Sequence, residues 1–184
     1  MTRCVVVALL VGVTFAGVGR AQNIEGDVRR GQALFEGKGA CQECHRVGVR
    51  GSRFGPDLTD IGARAGIAPI ARGGGAPEPD DPGRARKVLE SALTDPAAEI
   101  LPQNRTVKLV TRDGEALTAR VLNQDTFSLQ LIDPKERLLT VQKAELREFN
   151  WIKSSSMPSY RDKLTAAERA DLIAYLLSLK GINK

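Results

Sequence analysis

Thr106-Val107-Lys108-Leu109-Val110-Thr111 places Val107 and Leu109 on one face, with the two-residue period of a half-buried strand. Asp113-Gly114 follows, a strong signal for a tight turn. Leu117, Ala119 and Val121 alternate again before Asn123-Gln124-Asp125 turns the chain. Phe127, Leu129 and Leu131 make a third strand, Asp133-Pro134 another turn, and Leu139 and Val141 a fourth strand. Residues 143–151 close the run with a turn of helix or a last strand carrying Leu146, Phe149 and Trp151. The pattern predicts a small antiparallel meander or barrel of about 45–50 residues, near the size at which a lone core becomes marginal. Such a module should lean on the rest of the chain.

Outward from the sheet, helices replace strands. Residues 84–94 carry Val88, Leu89, Ala92 and Leu93 as an apolar stripe, and Asp95-Pro96 ends it. Before it lies a glycine-, proline- and acid-rich stretch, residues 66–83, read as a surface loop or link. Residues 27–36 predict a short helix with Asp27 as N-cap and Gly37-x-Gly39 as its stop. Gly31 and Phe35 stand one turn apart on it. A glycine inside a helix costs about 1 kcal/mol relative to alanine, so Gly31 marks either a close backbone neighbour or simple tolerance. On the other side of the sheet, Ser154-Ser155-Ser156-Met157-Pro158 is a polar loop. Thr165-Ala166-Ala167-Glu168 is a capping box. Leu172, Leu176 and Leu179 then recur at helical spacing up to Gly181.

Chemistry concentrates in Cys41-Gln42-Glu43-Cys44-His45, the C-x-x-C-H attachment pattern of a c-type haem. Two thiols at that spacing can each add to a haem vinyl group, and the next residue presents an imidazole to the iron. A thioredoxin-like pair would need a flanking βαβ pattern, which is absent. A zinc site would need ligands that a second C-x-x-C or a second histidine would supply, and the chain after the expected cleavage offers neither. His45 is the only histidine, so a bis-histidine haem cannot form within one chain. Met157 is the only methionine besides Met1. A thioether there would complete a His/Met iron, the ordinary electron-transfer ligation, unless Met157 is a gap-filling core residue. With His45 on the iron, neither a Ser-His-Asp triad nor a distal histidine acid–base is open to the chain, so no catalytic residue is assigned and an enzyme is not expected.

The N-terminus reads as an export signal. Arg3 precedes an apolar run over residues 4–18, and Gly19-Arg20-Ala21 is a small-x-small cleavage pattern. The run is short for a membrane span. The expectation is a periplasmic chain cut near Ala21, without a stable membrane anchor. The net charge of +5 falls by two when Arg3 and Arg20 are removed with no acid. A mildly basic chain without a clustered basic patch is not expected to bind nucleic acid.

Gly31-x-x-x-Phe35, Cys41-Gln42-Glu43-Cys44-His45, Gly55-Pro56-Asp57-Leu58, Ser156-Met157-Pro158 and Asp171-Leu172-Ile173-Ala174-Tyr175-Leu176 together resemble a class I c-type cytochrome with one haem. The resemblance extends to bacterial members with a β module inserted between the haem motif and the axial methionine. It implies a mainly α cytochrome c fold with an inserted small antiparallel β meander or barrel, α+β overall. The expected division is a signal at 1–21, a first cytochrome part at 22–100, the β module at 101–152 and a second cytochrome part at 153–184. It further implies one covalent haem c held by Cys41 and Cys44, iron ligands His45 and Met157, and Pro56 and Leu58 at the cofactor. In that family the Pro56 carbonyl would accept a bond from the proximal histidine, and Tyr175 or Leu176 would meet Gly31 and Phe35. Single-electron transfer between redox proteins is the implied function, with a periplasmic quinoprotein dehydrogenase or a terminal oxidase as the kind of partner. The alternative is a haem-based sensor or small-ligand binder whose sixth ligand is labile or absent. Phe149 and Trp151, just before the Met157 loop, are expected to brace that loop; if they bury only within the module, the module is a free docking head.

Overall fold

The computed structural model describes residues 26–66 and 82–181. The segment read as an export signal lies outside the described residues, as do residues 67–81 of the glycine- and proline-rich stretch. The described residues form helices α1 (Val28–Glu36), α2 (Ile61–Arg64), α3 (Pro82–Thr94) and α4 (Ala166–Ser178). They also form strands β1 (Arg46–Val47), β2 (Arg50–Gly51), β3 (Thr106–Thr111), β4 (Ala116–Gln124), β5 (Ser128–Ile132), β6 (Leu138–Gln142) and β7 (Leu146–Trp151). No described helix is long and apolar enough to cross a membrane.

This architecture corrects the expectation of a mainly α cytochrome c fold. The protein is α+β, with a five-stranded antiparallel sheet, a two-stranded sheet and four α-helices among the described residues. The physical reason lies in the cores. Val107, Leu109, Ala119, Val121, Leu129 and Leu131 bury together as the sheet's own core, separate from the one the helices share. The sheet is therefore a principal unit of the fold and not an ornament on a helical one.

Strands β3 to β6 run as a meander, and β7 returns to pair with β3, giving the order β6-β5-β4-β3-β7. The sheet is open, with β6 and β7 at its edges, and not a closed barrel. The segment before β7 uses both expected forms, a 3-10 turn over Lys143–Glu145 and then a strand. One turn is displaced: Asn123 and Gln124 remain paired in β4, and the reversal falls on Asp125. The Asp125 carboxylate accepts from the amides of Phe127 and Ser128, both at 2.7 Å, an Asx-type turn that outcompetes the strand for Phe127. Phe127 is 75% exposed as a result. Phe149 packs on the sheet's own core, and Trp151 is 37% exposed, edge-on to Phe149 beside the Arg105 guanidinium. Neither joins the helical core, so the expected bracing of the Met157 loop by these rings is not what the structure has.

The helical unit joins the two ends of the described chain. Asp27 caps α1 by accepting from the Arg30 amide at 2.8 Å, and Thr165 and Glu168 form the reciprocal capping box of α4. Gly31 is there for close approach: a methyl at that position would fall inside the backbone carbonyl of Asp171 and against Tyr175 Cβ. One turn on, the rings of Phe35 and Tyr175 lie 5.4 Å apart. Tyr175 is thus the α4 residue that meets both positions. The buried Asp171 carboxylate accepts from the Asp27 amide and from Arg30 Nε, each at 2.7 Å. The Arg30 guanidinium holds that carboxyl below the usual carboxylate range.

Candidate cofactor site

The C-x-x-C-H segment sits on a tight turn. Ala40 takes the left-handed conformation at φ +49°, which costs a non-glycine residue about 1–2 kcal/mol. A 3-10 turn over Cys41–Glu43 follows, and the His45 amide closes onto the Cys41 carbonyl at 2.8 Å. The β1–β2 hairpin begins at once, turning through Gly48 at φ +62°. Cys41 is buried in the helical core and Cys44 is exposed, both as free thiols. Burial pushes the Cys41 thiol up to about 11. At neutral pH that sulfur is a thiol and not a thiolate, the opposite of what a dithiol redox catalyst needs.

His45 is half-buried, and its Nδ1 lies 2.9 Å from the Pro56 carbonyl. A carbonyl only accepts, so Nδ1 carries the proton and Nε2 keeps its lone pair. Burial first, and then the charge of Arg120, hold the imidazole below its ordinary range, with the Pro56 bond opposing them. The ring is neutral, with one nitrogen committed and the other available to a metal. The Pro56 carbonyl is aimed by a loop pinned on both flanks: the Ser52 amide donates to Gln42 at 3.0 Å, Gly55 to Cys44 at 2.6 Å and Leu58 to Arg46 at 2.8 Å. A Cβ on Gly55 would stand 3.0 Å from His45 Nδ1. Arg46 and Asp57 pair across the same loop at 2.6 Å.

Met157 comes to this region from more than a hundred residues away in sequence. It is half-buried and packs on the core that contains Cys41, as does Leu58. Its loop is anchored just beyond it. Ser159 Oγ donates to the Thr94 carbonyl at 2.8 Å and the Tyr160 amide to Leu93 at 2.7 Å. The buried Tyr160 hydroxyl donates to the Gly39 carbonyl at 2.5 Å, and the Cys41 thiol reaches the same oxygen at 3.6 Å. The fold therefore ties the methionine loop and the first cysteine to one acceptor. Cys41, Leu58 and Met157 share one packed unit, and His45 with its Pro56 partner follows directly on the same segment.

Sequence reasoning missed Tyr160 and Arg120. A lone tyrosine three residues past Met157 in a polar loop was its signal. For Arg120 the signal was a cation between Ala119 and Val121, both buried. Arg120 Nε donates to the Phe54 carbonyl at 2.5 Å, and Nη2 to Arg53 at 2.8 Å and Gly55 at 3.4 Å.

Among the described residues no three of His, Cys, Asp or Glu gather as a metal-binding group. The donors suit a metal brought in by its own macrocycle: two unpaired thiols, a neutral imidazole of fixed tautomer and a thioether. An open groove lined by Arg86, Glu90, Arg161 and Arg169 contains none of these donors. The sequence matches no model of a known protein family and none of the curated proteins.

Proposed function

We propose that the protein is a periplasmic electron carrier with one covalently attached haem c. The observation that carries the reading is the His45–Pro56 bond directly beside two free thiols in C-x-x-C-H order. Cys41 and Cys44 would hold the group through their sulfurs, and His45 Nε2 and the Met157 sulfur would ligate the iron. Leu58 and the half-buried apolar side chains around Met157 would keep water from it. Bound haem supplies a one-electron iron couple, which the protein tunes through ligands, burial and hydrogen bonds. The Pro56 carbonyl makes the imidazole more basic and fixes its plane. As a ligand, the soft Met157 sulfur would favour Fe(II). This reading rests on the site and not on the fold class. Its partners are other redox proteins, a periplasmic dehydrogenase or an oxidase among them.

Pyridine haemochrome and intact mass of the exported protein should show one haem per chain, and Cys41→Ala with Cys44→Ala should release it. A haem that stays attached in the double variant rejects the proposal. Met157→Ala should keep the haem, lose the weak sulfur-to-iron band and lower the reduction potential. A wild-type ferric spectrum already lacking that band would favour the sensor or ligand-binding alternative.

A further inference from the structure

The sheet has two faces, and only one is accounted for by its own core. Arg120 pairs in register with Thr106 on one side and Ile132 on the other, so the three share the face opposite that core. Thr106 and Ile132 are buried there, at 7% and 2% exposure. From this face the hydrogen bonds of Arg120 reach residues 53–55, the stretch that runs into Pro56. The guanidinium is half-buried, and its donors go to the carbonyls of Arg53, Phe54 and Gly55, and to Gln103 at 3.3 Å. A planar fork on three successive carbonyls fixes a backbone in a way a lysine ammonium cannot.

A second grip comes from the β5–β6 turn. Glu136 is held in the left-handed region at φ +61°. Its carboxylate accepts from the Arg53 amide at 3.3 Å and from Arg53 Nε at 3.4 Å. One side chain of the sheet thus takes the loop's acceptors and another takes its donors. On the loop's far side, Ser52 and Gly55 hydrogen-bond back to Gln42 and Cys44. The next residue along is Pro56, the acceptor of His45 Nδ1.

We infer that Arg120, assisted by Glu136, is a positioning residue through which the β-sheet aims the Pro56 carbonyl at His45. The clamp itself is independent of any cofactor; its effect on an iron rests on the haem reading above. The sheet then grips the histidine side of the site. Phe149 and Trp151, which adjoin the methionine loop in sequence, take no part in this grip.

The test uses the full exported protein as purified, reduced and diamagnetic, with Arg120→Lys, Arg120→Gln and Glu136→Gln. Amide exchange at Gly55 and Leu58 is read by NMR beside Leu129 and Leu131 in the sheet, together with haem content and reduction potential. Arg120→Lys should keep the covalent haem and the sheet protection and speed Gly55 exchange about tenfold. Its potential should rise, because a looser Pro56 bond leaves His45 a poorer donor to ferric iron. Arg120→Gln should speed Gly55 equally and lie below Arg120→Lys in potential, since the positive charge is also gone. Glu136→Gln should move Gly55 in the same direction by a few-fold.

Wild-type Gly55 exchange and potential in Arg120→Lys would overturn the inference. So would a potential that falls in Arg120→Gln alone with Gly55 unmoved, because Arg120 would then act only as a distant charge. If both Arg120 variants lose sheet protection, Glu136→Gln decides: unchanged Gly55 exchange there rejects the clamp. A purified wild-type chain without haem would reject the electron-carrier reading, while Gly55 exchange in that chain would still report on the clamp.

Discussion

The two cores of this protein are assembled in opposite ways. The sheet core comes from one contiguous segment, residues 106–151, in which β4, β5 and β6 each pair with the strand before and β7 returns to β3. The helical core joins α1 at one end of the described chain to α4 at the other, with α3 beside them. Hairpins close short loops, whereas the α1–α4 contact closes nearly the whole chain, and loop closure must precede its reward. Every residue proposed to hold the cofactor belongs to the long-range unit or to the turn next to it. The sheet contributes none of those residues and holds the loop behind His45.

If the units are as separate as their cores, damage to one should leave the other standing. Phe35→Ala is expected to cost about 3–5 kcal/mol, the usual range for a fully buried aromatic. Hydrogen exchange should show loss of protection in α1 and α4 with β3–β5 protected. Simultaneous loss in both would break the comparison and make the chain one cooperative unit. The mirror experiment is Leu129→Ala, at about 2–5 kcal/mol. It should expose the sheet amides and raise Gly55 exchange through the loosened clamp, while the Phe35–Tyr175 contact survives by aromatic NMR signals.

A smaller effect separates the units by pH. The Asp171 carboxyl is held down in the fold chiefly by its hydrogen bond to Arg30, against burial. A depressed folded-state value contributes stability that is present above the ordinary carboxylate value of about 4 and is lost as pH falls through the folded one. The α1–α4 junction should therefore loosen in acid below about pH 4, and Asp171→Asn should remove that dependence. The substitution should cost about 1.5 kcal/mol, the low end for a bond to a charged group, since Arg30 is exposed on its other side. Thermal melts at pH 3 and pH 7 for both proteins check it. The smallest effect is expected at Trp151→Ala, below about 1.5 kcal/mol for an edge-on aromatic pair at an exposed sheet margin. Exchange of the proposed Met157 ligand with added imidazole should stay at the wild-type rate. Faster exchange would restore the bracing role to the edge strand.

Much of the secondary structure was legible in the residues. The alternation of Val107 and Leu109, the Asp113-Gly114 turn, the Asp27 cap and the Thr165–Glu168 box each depend on groups within a few positions of one another. Phe127 escaped because the Asp125 side chain captured its amide, a local competition that hydrophobic alternation does not register. The fold class escaped because a five-residue cofactor motif says nothing about how much of the chain a neighbouring sheet will organise. The pairing of Gly31 and Phe35 with α4 was legible only through a resemblance; the close approach itself needed two backbones in place.

The site divides along the same line. Cys41, Cys44 and His45 fall within five consecutive residues, and their order alone carries the chemistry proposed for them. The Tyr160 hydroxyl meets the Gly39 carbonyl across 121 positions, Arg30 meets Asp171 across 141, and Arg120 meets Phe54 across 66. Nothing in the spacing of those letters determines such pairs. Caps, turns and strand periods are set by the geometry of a few consecutive residues, whereas a side chain's bond to a distant carbonyl exists only once two packed faces have chosen each other.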